Sequence, residues 1–221
     1  MIGLDEGQLI CNKDSENKLL HQDVLPQYLL LKEDAKKAGF ELAIASSYRD
    51  FHRQCLIWNE KASGIRAIMN DSDEKMNTDS LTDWELVQAI LRWSALPGAS
   101  RHHWGTDIDV FDKSQIKDGY ELQLSHTETS ETGIFSEFHL WLSERINCDL
   151  AHGFYRPYDK DYGGIGCEPW HLSYRPKADE FSKLLSLDLV RSVVTSSQIN
   201  LSKTVLENIE DIYRRYICLH C

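Results

Sequence analysis

Two short segments of the 221-residue sequence carry side chains that could bind a metal ion and hydrolyse a bond. The first contains His102 and Asp109, and the second contains Glu168 and His171. Two imidazoles and one carboxylate form a three-ligand set, and catalytic zinc sites keep three protein ligands and leave a fourth position for water or substrate. Glu168 stands three residues before His171, where a base for that water could lie. These residue types predict a zinc-dependent hydrolase.

Each segment taken alone is weak evidence for such a site. Glu168 and His171 would point to opposite faces of a regular strand, because side chains alternate along a strand. Pro169 removes a backbone donor and extends the residue before it, and this irregularity could turn both side chains toward one metal. Separately, the fragments are more typical of a salt-bridged glutamate and a hydrogen-bonded core histidine. Their joint occurrence favours the metal site.

The composition is that of a globular protein with an acidic surface. Hydrophobic residues make up 42% and charged residues 27%, which is enough to build a core. A chain of 221 residues fits one domain, because chains split reliably only beyond ~250–300 residues. The formal charge of -11 argues against nucleic acid and against anionic membranes as partners, since both require a basic face.

The chain termini and the cysteines bear on the expected compartment. No basic segment followed by an apolar run is present near Met1, and no stretch approaches the ~20 apolar residues of a membrane helix. The expectation is therefore cytoplasmic, or periplasmic or extracellular if a leader has been removed. The six scattered cysteines are expected to be free thiols. The pair Cys218 and Cys221 could bind a metal, but a lone pair at a chain end is more often incidental.

The elements that would position these residues follow from periodicity and punctuation. Residues 1–18 are aperiodic and predict a surface arm, and residues 112–133 predict a polar connection. Thr82 and Glu85 match a capping box that opens a helix. On the strand that carries Asp109, Ile108 and Val110 should face the core. The predicted helices are 24–37, 50–62, 135–146 and 205–217, and the predicted strands are 42–48, 106–111 and 171–174.

One ordered combination of motifs resembles a known family. An apolar strand is followed by Arg49 and Gln54, then by Ser-x-His-x(2)-Gly-x(3)-Asp, and then by Glu-Pro-Trp-His. This order resembles the zinc D-alanyl-D-alanine carboxypeptidases of the VanY type, in the group that includes the D-Ala-D-Ala dipeptidases. The resemblance runs from about residue 24 to residue 185. The matching residues are Ser47, Tyr48, Arg49, Gln54, Pro97, Gly98, Ser100, His102, Gly105, Asp109, Glu168, Pro169, Trp170 and His171.

The resemblance implies a role for each matching side chain. It makes His102, Asp109 and His171 the ligands of one zinc ion per chain. Glu168 becomes the general base, which takes a proton from the attacking water and later passes it to the leaving amine. Arg49 would stabilise the developing oxyanion or bind the substrate. Gln54, Ser100 and Trp170 are assigned to substrate binding.

The resemblance also implies a fold and an activity. The expected fold is α+β, with a small, mainly antiparallel sheet, surrounding helices and zinc at the open face of the sheet. A single zinc peptidase domain would have its core at about 24–185 and a C-terminal helical extension at 186–221. The implied reaction is hydrolysis of the bond before a C-terminal D-alanine in peptidoglycan stem peptides. The alternatives are an L,D-carboxypeptidase or an endopeptidase on the same scaffold, or a zinc-containing binding module without turnover.

The sequence departs from the family pattern at three positions. Asp107 stands where the family usually has alanine, and it could hold a histidine proton or compete as a ligand. Ser173 stands where an arginine often follows the last histidine, and Cys167 stands where an aromatic residue is common. His103 and Trp104 could line the pocket or simply pack. These departures bear on substrate choice more than on the zinc chemistry.

Overall fold

The computed structural model describes residues 1–4, 6–11 and 17–218, and a four-stranded antiparallel sheet lies at its centre. The fold is α+β, as expected. The sheet order is β3-β4-β6-β5, and β1 and β2 form a separate antiparallel pair. The strands are β1 Leu9–Cys11, β2 Leu19–His21, β3 Leu42–Ser46, β4 Asp107–Asp112, β5 Phe154–Tyr155 and β6 His171–Tyr174.

Strand β4, which carries Asp109, lies between β3 and β6 in the sheet. Asp109 of β4 lies opposite Ser46 of β3 on one side and opposite His171 of β6 on the other. The β3–β4 register shifts between Ile44 and Ser46, where β3 ends. Residues distant in sequence are therefore brought to one row across the sheet.

Helices surround this sheet, and three of the four predicted helices begin and end within one residue of the predicted limits. The Thr82 hydroxyl accepts a hydrogen bond from the backbone N–H of Glu85, and the Glu85 carboxylate accepts one from Thr82, so the predicted capping box is confirmed. The helices are α1 Leu25–Lys37, α2 Phe51–Ala62, α3 Asp83–Trp93, α4 His126–Thr129, α5 Ser136–Asn147, α6 Arg175–Leu184, α7 Leu187–Ser196, α8 Ser202–Glu207 and α9 Ile209–Ile212.

Three segments differ from the predictions. The predicted surface arm contains β1, which pairs with β2, and the predicted polar connection contains α4. The predicted helix at 205–217 is interrupted at Asn208 and continues as a π-helical turn at Tyr213–Ile217. Asn208 has a φ of -115°, outside the helical range, which explains the break.

Two hydrophobic cores hold the molecule together. One lies between the sheet and helices α1 and α5, and there Ile108 and Val110 are fully buried, as predicted. The other lies among α2, α3 and the C-terminal helices, around Trp58 and Leu91. The opposite face of β4 presents Asp107 and Asp109, which are also buried and therefore need partners.

The remaining expectations concern membranes and thiols. Within the described residues, the structure contains no helix of the length and apolar character that a membrane crossing requires. Cys11, Cys55, Cys148 and Cys167 are free, as expected. Cys218 is disulfide-bonded, so the expectation of a free thiol is wrong for this residue. Cys221 lies outside the described residues.

Candidate metal centre and active site

The three predicted ligands meet on the face of the sheet opposite the core. His102 lies in a 3-10 turn, Arg101–Trp104, directly before β4, while Asp109 lies on β4 and His171 begins β6. One ligand atom from each lies within 4.8 Å of the others, and all three side chains are buried. The structure thus brings together the two imidazoles and the carboxylate that the sequence singled out.

A backbone carbonyl fixes the orientation of His102. Its Nδ1 lies 2.9 Å from the carbonyl oxygen of Ser47, so Nδ1–H donates there. Nε2 then carries the free lone pair, and it lies 3.4 Å from Oδ2 of Asp109. Burial lowers the pKa of His102 to about 4, which keeps the ring neutral and able to bind a metal.

A carboxylate fixes the orientation of His171. Its Nε2–H donates to Oδ1 of Asp107 at 2.9 Å, and its Nδ1 lies 3.3 Å from Oδ1 of Asp109 and 3.1 Å from Oε2 of Glu168. Asp107 therefore contacts the far side of the imidazole. Of the two roles considered for Asp107, the geometry favours holding the histidine over competing as a ligand.

Asp107 itself is held by a buried cation. Arg101 Nε donates to Oδ1 of Asp107 at 2.8 Å, and the hydroxyls of Thr106 and Ser173 donate to Oδ2 at 2.6 and 3.1 Å. Burial opposes ionisation of Asp107, but the charge of Arg101 and the hydrogen bonds from His171 and Thr106 together outweigh it and hold the pKa of the carboxyl well below its usual range. The sequence reasoning missed Arg101, although its place directly before His102 was a signal.

The same arginine explains how the structure accommodates Ser173. An amino group of Arg101 donates to the Ser173 hydroxyl at 2.6 Å and to the Tyr155 hydroxyl at 3.0 Å. The guanidinium also lies 4.7 Å from the centre of the Trp104 ring. A cation from the turn at residue 101 thus lies beside the strand position where the family often has an arginine.

The residues present fit a divalent cation. Oδ1 of Asp109 is buried and has no partner in hydrogen-bonding geometry among the described residues, and a bound cation would satisfy it. Burial disfavours a charged His171, but the carboxylates of Asp107, Asp109 and Glu168 outweigh this effect and raise its pKa well above 6.5. So much negative charge around one imidazole calls for a cation. Nitrogen ligands with one carboxylate suit zinc.

Glu168 lies in a turn that ends where β6 begins. The backbone N–H of His171 donates to the Glu168 carbonyl at 3.1 Å, and Arg156 Nε donates to the Pro169 carbonyl at 2.7 Å. This turn directs the side chains of Glu168 and His171 to the same side, as the proline suggested. Burial raises the pKa of Glu168, which improves a carboxylate as a base.

A cavity of about 490 Å³ opens onto these residues. Arg49, Ser100 and Trp170 line it, together with the metal-ligand candidates and Glu168. Gln54 is fully buried instead, and it does not line the cavity. Its Oε1 accepts from Arg49 at 2.9 Å, and its Nε2 donates to the carbonyl of Ala95 at 2.6 Å. In this structure Gln54 therefore orients Arg49, and its assignment to substrate binding stays a prediction.

His103 and Trp104 also lie outside the lining of the cavity. His103 Nδ1–H donates to the Arg49 carbonyl at 2.6 Å, and its Nε2 accepts from the backbone N–H of Gly98 at 3.1 Å. Trp104 is buried against Phe181, with ring centres 5.9 Å apart. Of the two possibilities left open by the sequence, the structure favours packing for both.

The sequence reasoning missed several residues that line the cavity. The ring of His126 lies between those of Trp93 and Trp170, with centres 5.4 and 5.7 Å away, and forms an aromatic wall. Tyr158 packs edge-on against the His171 ring at 4.9 Å. Lys61 lines another part of the cavity. No spacing in the sequence connects these residues with the metal ligands, because they come from α2, α3, α4 and the loop after β5.

Comparison with known proteins identifies a family that matches most of this chain. Residues 17–177 match the family model described as VanY, D-alanyl-D-alanine carboxypeptidase. The chain belongs to this family. The match spans both segments that carry the metal-ligand candidates, and it extends over most of the 221 residues. The resemblance inferred from the motifs is therefore confirmed.

Relatives and solved structures add detail. The chain is 45% identical over 82 residues to an uncharacterised protein of Haemophilus influenzae, and this match spans 37% of the chain and 56% of that relative. It resembles VanYB in complex with D-alanine-D-alanine (20% identity, TM-score 0.52, 96% of this chain and 84% of that one). It also resembles a Zn(II) complex of a vancomycin-resistance D,D-pentapeptidase VanY (21% identity, TM-score 0.51, 96% of this chain and 86% of that one). A third similar structure is the LD-carboxypeptidase LdcB (19% identity, TM-score 0.53, 97% of this chain and 81% of that one). At these identities the likeness shows the fold.

Proposed function

We propose that this protein is a zinc carboxypeptidase that hydrolyses the bond before a C-terminal D-alanine of peptidoglycan stem peptides. One observation carries the proposal: His102, Asp109 and His171 converge beside Glu168 on a single cavity. Membership of the VanY family supports the reaction class. The D-alanine-D-alanine and Zn(II) complexes of proteins with this fold support the substrate and the metal.

The chain would hold zinc through Nε2 of His102, a carboxylate oxygen of Asp109 and Nδ1 of His171. A bound zinc ion lowers the pKa of a water molecule toward about 7 and polarises a carbonyl group. Glu168 would accept the proton of the attacking water, because its buried carboxylate has a raised pKa and faces the same ligand atoms. It would then deliver that proton to the leaving amine.

Arg49 would act on the substrate from the cavity wall. Its guanidinium donates to Oε1 of Gln54 at 2.9 Å and to the Ser46 hydroxyl at 3.2 Å, so it is oriented before the substrate arrives. A preorganised donor of this kind stabilises a developing oxyanion or a carboxylate. Ser100 would donate a hydrogen bond to the peptide, and Trp170 would provide an apolar wall.

An L,D-carboxypeptidase is the second candidate, because the fold is shared with LdcB, an LD-carboxypeptidase. An endopeptidase on the same scaffold would not need a free chain end. A binding module without turnover is the candidate from another class. It has no use for a buried base, so the position of Glu168 beside the ligand atoms favours an enzyme over this possibility.

We further propose that residues 1–221 act as one peptidase domain, with a core at about 24–185 and a helical extension at 186–221. In support, the Trp58 indole N–H on α2 donates to the Asn200 carbonyl at 2.9 Å, which ties the extension to the core. In the cytoplasm, the natural substrates would be recycled cell-wall fragments.

The deciding experiment is mass spectrometry of the products from synthetic tetrapeptides and pentapeptides with D,D and L,D terminal bonds. Loss of one C-terminal D-alanine, abolished by a chelator and restored by zinc, is expected. Removal of D-alanine only from tetrapeptides would favour the L,D alternative. Absence of turnover on every peptide in the presence of zinc would contradict the proposed enzyme and favour the binding module.

A further inference from the structure

Lys61 contributes a positive charge to the cavity that the chemistry above does not use. It lies on α2, two helical turns after Gln54, and it lines the cavity together with Ile57 of the same helix. Its side chain is partly buried. Arg49 precedes this helix, so α2 and its N-terminal flank bring two cations to the lining of the cavity.

The other cations of the cavity have partners. Arg66 forms an ion pair with Glu60 at 2.8 Å, Arg101 forms one with Asp107 at 2.8 Å, and Arg49 donates to Gln54 and Ser46. The ammonium of Lys61 has neither a hydrogen bond nor an ion pair with any residue in the described part of the chain. A partly buried ammonium usually acquires a partner, because burying an unpaired charge is costly.

The carboxylates of the cavity are already engaged. Asp73 accepts hydrogen bonds from the backbone N–H and the hydroxyl of Thr127, both at 2.8 Å. Asp109 belongs to the proposed zinc site, and Glu168 lies 3.1 Å from Nδ1 of His171. The chain therefore leaves Lys61 available to an anion that enters from outside.

The electrostatic surroundings of Lys61 agree with this arrangement. Burial, together with the positive charges of Arg66 and Arg49, lowers the pKa of Lys61 to about 8, and the charge of Glu168 offsets only part of this effect. A carboxylate beside the ammonium would offset both effects, because a nearby opposite charge favours the charged form. Lysine at this position destabilises the empty cavity, and an acidic ligand would relieve that destabilisation.

We propose that Lys61 is a specificity-determining residue that binds a carboxylate of the peptide substrate. This inference rests on the proposed function and names the substrate class more narrowly, as peptides that carry a second acidic group. Arg49 and Ser100 are already proposed to act near the reacting bond and the chain end. The carboxylate that binds Lys61 is accordingly that of an internal acidic residue of the peptide. The C-terminal carboxylate is the other group of the peptide that could bind an ammonium in the same way.

Three matched peptides separate these two sources. The parent carries an internal acidic residue and a free C-terminus, the second peptide has an amide in place of the internal carboxylate, and the third has a C-terminal amide. kcat/KM is measured for each peptide with the wild type, Lys61→Gln, Lys61→Arg and Lys203→Gln. Lys203 is 88% exposed on α8, so its variant controls for the loss of a positive charge.

The expected result is a penalty of at least ~10-fold for the internal amide in the wild type, since hydrogen bonds to charged groups contribute about that much. The penalty should nearly vanish in Lys61→Gln, while Lys61→Arg and Lys203→Gln retain it. If the penalty for the C-terminal amide vanishes instead, Lys61 binds the chain end. Because each penalty is a ratio within one variant, a general loss of activity cancels. Unchanged penalties for both amides in Lys61→Gln would overturn the proposal.

A binding measurement makes the test independent of turnover. The Kd of each of the three peptides is measured by calorimetry with zinc-loaded Glu168→Gln and with the double variant Glu168→Gln, Lys61→Gln. The internal amide should weaken binding to the single variant and should have almost no effect on binding to the double variant. The internal amide and Lys61→Gln are coupled if the amide weakens binding only when Lys61 is present. Such coupling in Kd, without turnover by the wild type, would contradict the proposed enzyme but support the role of Lys61. Binding without coupling would overturn the role of Lys61 alone, and absence of binding by every peptide would overturn both proposals.

Discussion

The Nε2–H of His171 donates a hydrogen bond to Oδ1 of Asp107 over 2.9 Å, and this contact turns Nδ1 of the same ring toward Asp109. Asp107 lies opposite Ser173 in the β4–β6 register, and Asp109 lies opposite His171. One strand thus contributes two carboxylates with different tasks. Asp109 would offer its oxygens to the proposed metal, and Asp107 fixes the tautomer of His171, the proposed ligand.

Asp107→Asn is therefore expected to weaken zinc binding without removing a ligand. An amide carries no charge to hold the His171 proton, and changes of this kind typically cost 10–100-fold in metal affinity. Competition with a chromogenic chelator gives the zinc Kd. Asp112→Asn is the matched control, because Asp112 is a buried carboxylate on the same strand that accepts from the backbone of Glu41, far from the ligands. Equal zinc affinities in the two variants would contradict the assigned role of Asp107.

Removal of either ligand histidine should abolish stable zinc binding. His102→Ala and His171→Ala each leave two ligands, which is below the three that catalytic zinc sites use. Elemental analysis after dialysis should show zinc largely lost from both variants. His103→Ala provides the control, because His103 is adjacent and buried but bonds to the Arg49 carbonyl instead. Full zinc occupancy in both ligand variants would show that the metal-site assignment is wrong.

The convergence of His102, Asp109 and His171 and the central sheet could be predicted because their signals are local or ordered along the chain. Alternation in β4 predicted which side chains face the core, and Pro169 predicted the irregularity at Glu168. The support for these residues could not be predicted in the same way. Arg101 reaches Ser173 across 72 positions, and Arg156 reaches the Pro169 carbonyl from another loop. Such contacts depend on where loops return to the sheet, and no residue spacing encodes that.

Gln54 shows a different limit of sequence reasoning. The family resemblance assigned it to substrate binding, although a glutamine can donate to a substrate or accept from an arginine equally well. The structure adds contacts that the sequence could not specify, because the amide is buried between Arg49 and the Ala95 carbonyl. Residue identity and spacing thus predicted the members of the site better than their contacts.

Glu168→Gln is expected to keep zinc and lose activity. The amide cannot accept the proton of the attacking water, and general acid–base catalysis contributes ~10²–10⁴-fold. kcat on the preferred peptide should fall by that factor, while zinc content stays equal to that of the wild type. Near wild-type turnover would remove Glu168 from the mechanism. Loss of zinc together with activity would instead make Glu168 a ligand.

Arg49→Lys should impair kcat/KM by at least ~10-fold, which corresponds to about 1.4 kcal/mol of transition-state stabilisation. Lysine keeps the charge but lacks the planar fork that donates to Gln54 and Ser46 while presenting further donors to the cavity. Gln54→Ala should show a smaller loss of the same kind, because it loosens Arg49 without removing it. If Arg49→Lys retains full activity, charge alone suffices at this position.

The buried side chain of His139, which is not one of the proposed metal ligands, should make the stability of the protein depend on pH. It is buried on α5, and burial together with the positive charge of Arg156 lowers its pKa to about 3. In the unfolded chain a histidine titrates near 6.5. Below pH 6.5 the unfolded state therefore binds a proton that the folded state does not, so stability falls as pH falls from 6.5 toward 3.

For His139 alone, the free energy of unfolding should decrease by about 2 kcal/mol between pH 7 and pH 5. Urea denaturation of zinc-free protein at several pH values measures this decrease, and the absence of zinc keeps ligand protonation from adding a metal-dependent component. His139→Phe should lose about 2 kcal/mol less than the wild type over the same range. Between pH 8 and pH 9 the two proteins should differ by a constant amount, because the histidine is neutral in both states there. Parallel curves from pH 7 to pH 5 would contradict a neutral, buried His139.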